Sequence, residues 1–184
     1  MTSVLIPLAQ GCEEIEAVTA IDILRRAGIE VITAGLSVGP VRASRGTVLL
    51  PDTVLDDAIQ RDFDMVVLPG GMPGSAHLKN DARIIGLLQR MAASGKFLAA
   101  ICAAPMALHA AGLLQDKRVT SFPGVVDELP GSHTYLNDSV VVDGNIVTSR
   151  GPGTAIDFAL TLVELLAGKA RRDAVETELQ RLQT

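Results

Sequence analysis

Tryptophan is absent from this 184-residue chain, and with one tyrosine and four phenylalanines only 3% of it is aromatic. A core stacked on large rings is excluded. The interior has to be aliphatic, built from Ala, Val, Leu and Ile, as where helices pack closely on a parallel sheet. Cysteine is scarce as well, with Cys12 and Cys102 alone. Two isolated thiols make neither a disulfide framework nor a metal-binding spacing, and a reducing cytosol keeps both free. Positive charge is not in excess either: 16 Lys and Arg stand against 21 Asp and Glu, for a formal net charge of −5. Without a basic stripe to neutralise phosphates, nucleic acid is not the expected partner. The chain also lacks an uncharged stretch of membrane-spanning length, and Met1 to Ile6 carry no basic leader region. A cytoplasmic protein with no membrane segment is therefore expected. What is present, 48% hydrophobic and 20% charged residues with 17 glycines, suits one compact domain over residues 1–184.

Short apolar runs alternate with helical patterns along most of the chain. Residues 4–8 read as a strand, followed by a turn at 9–12 and a helix with Ile15, Val18, Ile21, Ile23 and Leu24 inward, ending at Ala27-Gly28. Further strands are expected at 29–36, 47–50, 65–68 and 97–101, and helices at 81–93 and 105–114. After residues 118–122 a hairpin is expected, with 140–142 and 146–148 joined by the turn pair Asp143-Gly144. Two helices, 154–167 and 171–182, complete the pattern. This alternation predicts an α/β three-layer sandwich with a mainly parallel central sheet plus a β-hairpin. Ligands then collect at the carboxyl ends of the strands, which singles out the loops 10–16, 69–75 and 102–105.

Each of those loops carries candidate chemistry. In "LAAICAAPMAL" Cys102 stands where a strand passes into a helix, and Ala99, Ala100, Ala103 and Ala104 leave room for a sharp bend like a nucleophile elbow. A sulfur at a helix start is expected to have a lowered pKa; the alternative is a buried cysteine acting as a small hydrophobe. Gly70-Gly71 lets backbone N–H groups converge on an oxyanion, or simply ends a strand. Of Glu13, Glu14 and Glu16, ordinary helix capping accounts for one or two, and a third is free to turn inward as an acid or base. None of His77, His109 and His133 has a spacing that declares a Cys-His pair. Gly151-Pro152-Gly153 matches half of a dinucleotide fingerprint, but Ile156 stands in place of the third glycine, so a helix-starting turn is expected there.

The segments "GCEEIEAV", "DILRRAGI", "ASRGTV", "VVLPGG", "AAICAAP" and "TSRGPGTAIDFAL", in this order from residue 11 to 160, resemble the ThiJ/PfpI superfamily, and within it the subfamily of the Parkinsonism-associated deglycase and its YajL-like bacterial relatives. The resemblance implies a flavodoxin-like sandwich, usually a homodimer, with an oxidisable cysteine and no cofactor or metal. By it, Cys102 is the nucleophile and Glu16 the acid that hydrogen-bonds it. Gly71 and Ala103 are backbone donors, and Arg26 and Arg45 hold an anion in a pocket near the dimer contact. One position departs: Phe122 in "VTSFP" replaces a histidine of the deglycase relative, leaving proton transfer to Glu16 alone or with water.

The function so implied is a cysteine-dependent deglycase or glutathione-independent glyoxalase acting on glyoxal, methylglyoxal or their early adducts, releasing glycolate or lactate. The alternative is a redox sensor or peroxide-responsive chaperone whose Cys102 is oxidised to sulfinate without turnover. Cys12 is then either a resolving thiol or an idle loop cysteine. A glutamine amidotransferase is set aside, because it needs a late His-x-Glu pair and no histidine follows His133.

Overall fold

The computed structural model describes residues 1–181. Strand β1 (Ser3–Leu8) is buried along its whole length and parallel to a neighbour on each side. That explains its unbroken apolar spelling: a strand covered on both faces needs no polar alternation. It is followed by α1 (Glu14–Arg26) and β2 (Glu30–Gly35), then by β3 (Val41–Arg42), β4 (Val48–Leu49), β5 (Thr53–Val54) and α2 (Leu55–Ala58). Strand β6 (Met65–Leu68) leads into α3 (Gly74–Asn80) and α4 (Ala82–Ala93), and β7 (Phe97–Ile101) into α5 (Pro105–Ala110). Next come β8 (Arg118–Val119), β9 (Thr134–Tyr135), the hairpin β10 (Val140–Asp143) and β11 (Ile146–Ser149), and finally α6 (Ala155–Ala167) and α7 (Lys169–Glu178).

The main sheet has the order β10-β11-β7-β6-β1-β2-β5, parallel except for β10. Alternate side chains of the central strands feed two cores. Val4, Ile6, Val67, Ala99 and Val147 pack with α1 and α6, while Leu5, Val66, Leu98, Ala100 and Ile146 pack with α2 to α5. The result is a three-layer α/β sandwich with the hairpin at one edge. Among the described residues no helix is long and apolar enough to cross a membrane.

Several expectations need correction. Helix α1 does not turn Ile15 and Val18 inward: they are 54% and 44% exposed, and Glu16, Ala17, Ala20, Ile23 and Leu24 form the buried face. Small alanines let α1 lie close to its neighbours, so the inward stripe is set by fit rather than by the largest side chains. Residues 47–50 do not enter the main sheet; β4 pairs with β3 in a separate antiparallel ribbon. The short α3 has no counterpart among the expected helices, because it offers Leu78 as its one large buried apolar residue. Helix α5 stops at Ala110 rather than continuing to 114. The hairpin pairs Asp143 with Ile146, so its turn is Gly144-Asn145, where Gly144 takes the positive φ of 63° that a two-residue turn of this kind requires. Helix α7 runs from Lys169 to Glu178, so it starts two residues before the expected 171 and ends short of the expected 182; residues 179–181 are not helical and Leu182 lies outside the described residues.

Candidate functional site

Strands β1, β6 and β7 are neighbours, and the chain leaves β1 toward β2 on one side while β6 lies on the other. Their carboxyl ends meet at a topological switch point, the usual ligand position of such a sheet. Three loops converge there.

Cys102 follows β7 directly and adopts φ 63°, a left-handed conformation unusual for a residue with a side chain. Holding it costs on the order of 1–3 kcal/mol, which the surroundings have to supply. They do so from both sides of the peptide: the Cys102 N–H donates to the Ser149 carbonyl at 2.9 Å, and its carbonyl accepts from the Phe122 N–H at 2.9 Å. Ala99, Ala100, Ala103 and Ala104 are all buried around this bend. Gly70 is equally constrained, since a Cβ there would stand 2.6 Å from both Cys102 Cβ and Glu16 Oε2. At Gly71, φ is 87° and an added Cβ would lie 2.4 Å from the Glu13 nitrogen. Any side chain at either glycine would force the three loops apart.

Glu16, 1% exposed, reaches the bend from the first turn of α1. Its Oε2 accepts the Gly70 N–H at 2.8 Å, while Oε1 is buried without a hydrogen-bond partner. Burial raises its pKa to about 7 against the pull of the Gly70 N–H and the Cys102 thiol. The thiol itself does not have the lowered pKa that a helix start suggests. Burial first, then the Glu16 charge, push it up to about 12, and the Gly71 and Ala103 N–H groups only partly offset this. Helix α5 has six residues, too short a dipole to outweigh desolvation and an adjacent acid. The two groups therefore titrate as a unit, holding two protons below about pH 7 and one from there to about 12.

Cys102, Glu16, Gly71 and Ala103 thus come together. Arg26 does not join them: it sits in the last turn of α1, roughly 15 Å along the helix from Glu16, where it pairs with Asp22 at 2.7 Å. Arg45 is exposed on the loop joining β3 and β4, its backbone N–H held by Glu14 Oε2 at 3.0 Å. Glu14 also binds the Thr47 N–H at 3.3 Å, and Glu13 accepts the Ser44 hydroxyl at 2.7 Å, so these two acids tie that loop to α1. Cys12 is fully buried, and burial pushes its pKa to about 11. His77 is exposed on α3, whereas His109 and His133 bond the carbonyls of Pro130 and Val126 at 2.7 and 2.9 Å. None of the three imidazoles is bonded to the sulfur or to Glu16.

The structure brings in Ser149 and gives Gly70, Phe122 and Gly151 places at the site that the sequence did not assign them. The Gly70 N–H donates to Glu16, and Ser149 and Phe122 hold Cys102 through their backbones. Gly151 comes so close that a Cβ on it would lie 4.0 Å from Cys102 Sγ. The double glycine and the "TSRGPGT" segment were the available signals. A cavity of about 350 Å³ lined by Phe122, Pro123 and residues 150–154 opens at this point. A cavity of about 400 Å³ lies by the ends of β1 and β2, but its Arg83 is tied to Asp81 and Asp56 and neither cysteine lines it. Among the described residues no cluster of His, Cys, Asp and Glu could hold a metal ion.

Residues 2–165 match the DJ-1/PfpI family. Protein dj-1beta of Drosophila melanogaster is 46% identical over 171 residues, covering 92% of this chain and 91% of that protein. The crystal structure of Drosophila melanogaster DJ-1beta superposes with a TM-score of 0.95 at 43% identity, over 99% of both chains. A Caenorhabditis elegans relative named glutathione-independent glyoxalase DJR-1.2 is 39% identical over 173 residues, covering 94% of this chain and 91% of that protein. With the match spanning most of its length and the fold shared throughout, this chain belongs to the DJ-1/PfpI family.

Proposed function

We propose that the protein is a cysteine-dependent hydrolase of small reactive carbonyls, a glutathione-independent glyoxalase or deglycase that turns glyoxal, methylglyoxal or their early adducts into 2-hydroxy acids. The observation that carries this reading is the facing pair: Cys102 on its tight bend and the buried Glu16, whose Oε1 has no other partner. The relative named as a glyoxalase supports it.

The pair's shared proton suits the chemistry. As the sulfur attacks the aldehyde carbon, the thiol proton passes to Glu16, an S–C bond forms and the carbonyl electron pair moves to oxygen, which takes a proton to give a hemithioacetal. Glu16 then removes the proton on that carbon and, directly or through water, one is returned to the adjacent carbonyl carbon. The first carbon is oxidised and the second reduced, leaving a thioester of a 2-hydroxy acid. Water cleaves it to lactate or glycolate and restores the thiol. No external oxidant or reductant enters. The N–H groups of Gly71 and Ala103, directed at the sulfur, oppose the cost of negative charge there. With Phe122 where an imidazole would stand, Glu16 and water carry every proton.

Purified protein is expected to convert methylglyoxal to lactate, and Cys102→Ser to abolish the conversion. Retention of activity in the serine variant would sink the reading. Exposed Ile15, Val18, Val48 and Leu50 on α1 and the adjoining ribbon offer an apolar contact for a homodimer, which sedimentation at micromolar concentration would reveal.

A second reading, oxidation of Cys102 to sulfinate as a peroxide response, is favoured by the same unpartnered Glu16 Oε1, which as a carboxylic acid would donate to an oxygen added on sulfur. Intact-mass measurement after mild peroxide should show two added oxygens mapping to Cys102; oxidation confined to Cys12 would count against it.

A further inference from the structure

The cavity lined by Phe122, Pro123 and residues 150–154 reaches the sulfur through Gly151, and it has its own chemistry. Phe122 is 50% exposed, unusual for so large an apolar side chain, yet it is not loosely placed, because its N–H bonds the Cys102 carbonyl at 2.9 Å. Ring and nucleophile are carried on one backbone link. Opposite them Gly151 faces both: a Cβ there would lie 3.5 Å from Phe122 Cδ2 and 4.0 Å from Cys102 Sγ. The missing side chain at Gly151 leaves ring and sulfur open to one space.

The far wall of that space is braced. Thr154 Oγ1 donates to the Gly151 carbonyl at 3.0 Å and lies 2.7 Å from Ser149 Oγ, which donates to the Ser139 carbonyl at 2.7 Å. Ser149 is also the residue whose carbonyl holds the Cys102 N–H. The Gly151–Thr154 turn and the nucleophile therefore share one support, and the cavity of about 350 Å³ is preformed. Its walls are the Phe122 ring and the Pro123 and Pro152 rings, with Arg150 supplying positive charge. The hydrogen of glyoxal or the methyl of methylglyoxal would leave these walls in contact with water.

We propose that the Phe122–Pro152 cavity is the subsite for the substituent of the carbonyl substrate, and that it makes 2-oxoaldehydes bearing an aryl or branched alkyl group the preferred substrates over glyoxal. This rests on the assignment of Cys102 and Glu16 above. Each buried apolar increment in such a pocket raises discrimination by a factor of about 10 or more, and a flat ring gains further from stacking on Phe122. The positive charge of Arg150 suits a product carboxylate and disfavours cationic adducts.

The test compares kcat/KM for phenylglyoxal and for glyoxal within each protein, so a general loss of activity cancels. The wild-type ratio is expected to exceed about 10. Phe122→Ala should lower the ratio about 10-fold, and Phe122→Leu, which keeps apolar bulk without the ring, by less. A wild-type ratio near or below unity, or one unmoved in Phe122→Ala, would overturn the proposal. Binding of the product-like acids mandelate and glycolate, followed by calorimetry, separates the two readings. If no aldehyde turns over yet mandelate binds about 10-fold tighter than glycolate and Phe122→Ala removes the difference, the subsite stands and the catalytic reading falls. Equal binding of the two acids overturns the subsite.

Discussion

Cys12 and Cys102 sit in loops at the same end of the sheet, one after β1 and one after β7, and acidity alone does not tell them apart. Burial and acidic neighbours raise both, to about 11 and about 12. Their surroundings differ in three respects. Cys12 is sealed in the core, packed against Gly74, where an added Cβ would come within 2.6 Å of its nitrogen. Cys102 is half-buried next to Gly151, which lines the cavity of about 350 Å³, has N–H groups of Gly71 and Ala103 directed at its sulfur, and faces an acid with an oxygen to spare. On the function proposed above, these three differences are what would make Cys102 rather than Cys12 the reactive thiol.

The sharpest way to break this contrast is to remove each sulfur in turn. Cys102→Ser should abolish methylglyoxal turnover, whereas Cys12→Ser should leave it within a few-fold; equal losses would mean the two loops act together. Glu16→Gln comes next, with turnover expected to fall about 100-fold or more because the proton partner is gone. Its pH behaviour should change as well. In the wild type, reactivity of Cys102 toward an alkylating agent should rise through about pH 7, as the pair loses its first proton; in the glutamine variant that step should vanish.

Stability should move the opposite way. The folded-state pKa of Glu16 lies above its ordinary value, so its contribution is complete below about pH 4.5 and is lost as pH rises through about 7. Glutamine does not titrate. Above that window the variant should gain on the order of 3 kcal/mol over the wild type, read from urea unfolding at several pH values. A variant less stable than the wild type at pH 8 would show that the buried carboxylate is not strained by its charge. The smallest effect concerns Cys12→Ser, where a hydroxyl replaces a sealed thiol at a cost of about 1–3 kcal/mol, measurable by the same unfolding.

The strands were legible because each is a short apolar run bounded by turn residues, and Met65–Leu68 and Phe97–Ile101 have the bounds their spelling suggests. The bend at Cys102 was legible through its alanines. The inward face of α1 was not. Large apolar residues at 15 and 18 satisfy a helical period, yet the neighbouring face, with Glu16 and two alanines, fits against the sheet and α6. The sign of the thiol's pKa shift was also misread, since a helix start is visible in a local pattern while desolvation and a carboxylate from another loop are not. Arg26 and Arg45 lie on different elements of one chain, one of them a full helix length from the acid, so a shared anion pocket near a dimer contact would need the second chain.

By itself the sequence determined the order of strands and helices, the places where only glycine or alanine fits, and the family, because these depend on local pattern and residue size. The tertiary structure alone decided which carboxylate meets the sulfur, how protons divide between them and which apolar walls stand beside them. Those depend on distances and desolvation between residues far apart along the chain, which no local pattern encodes.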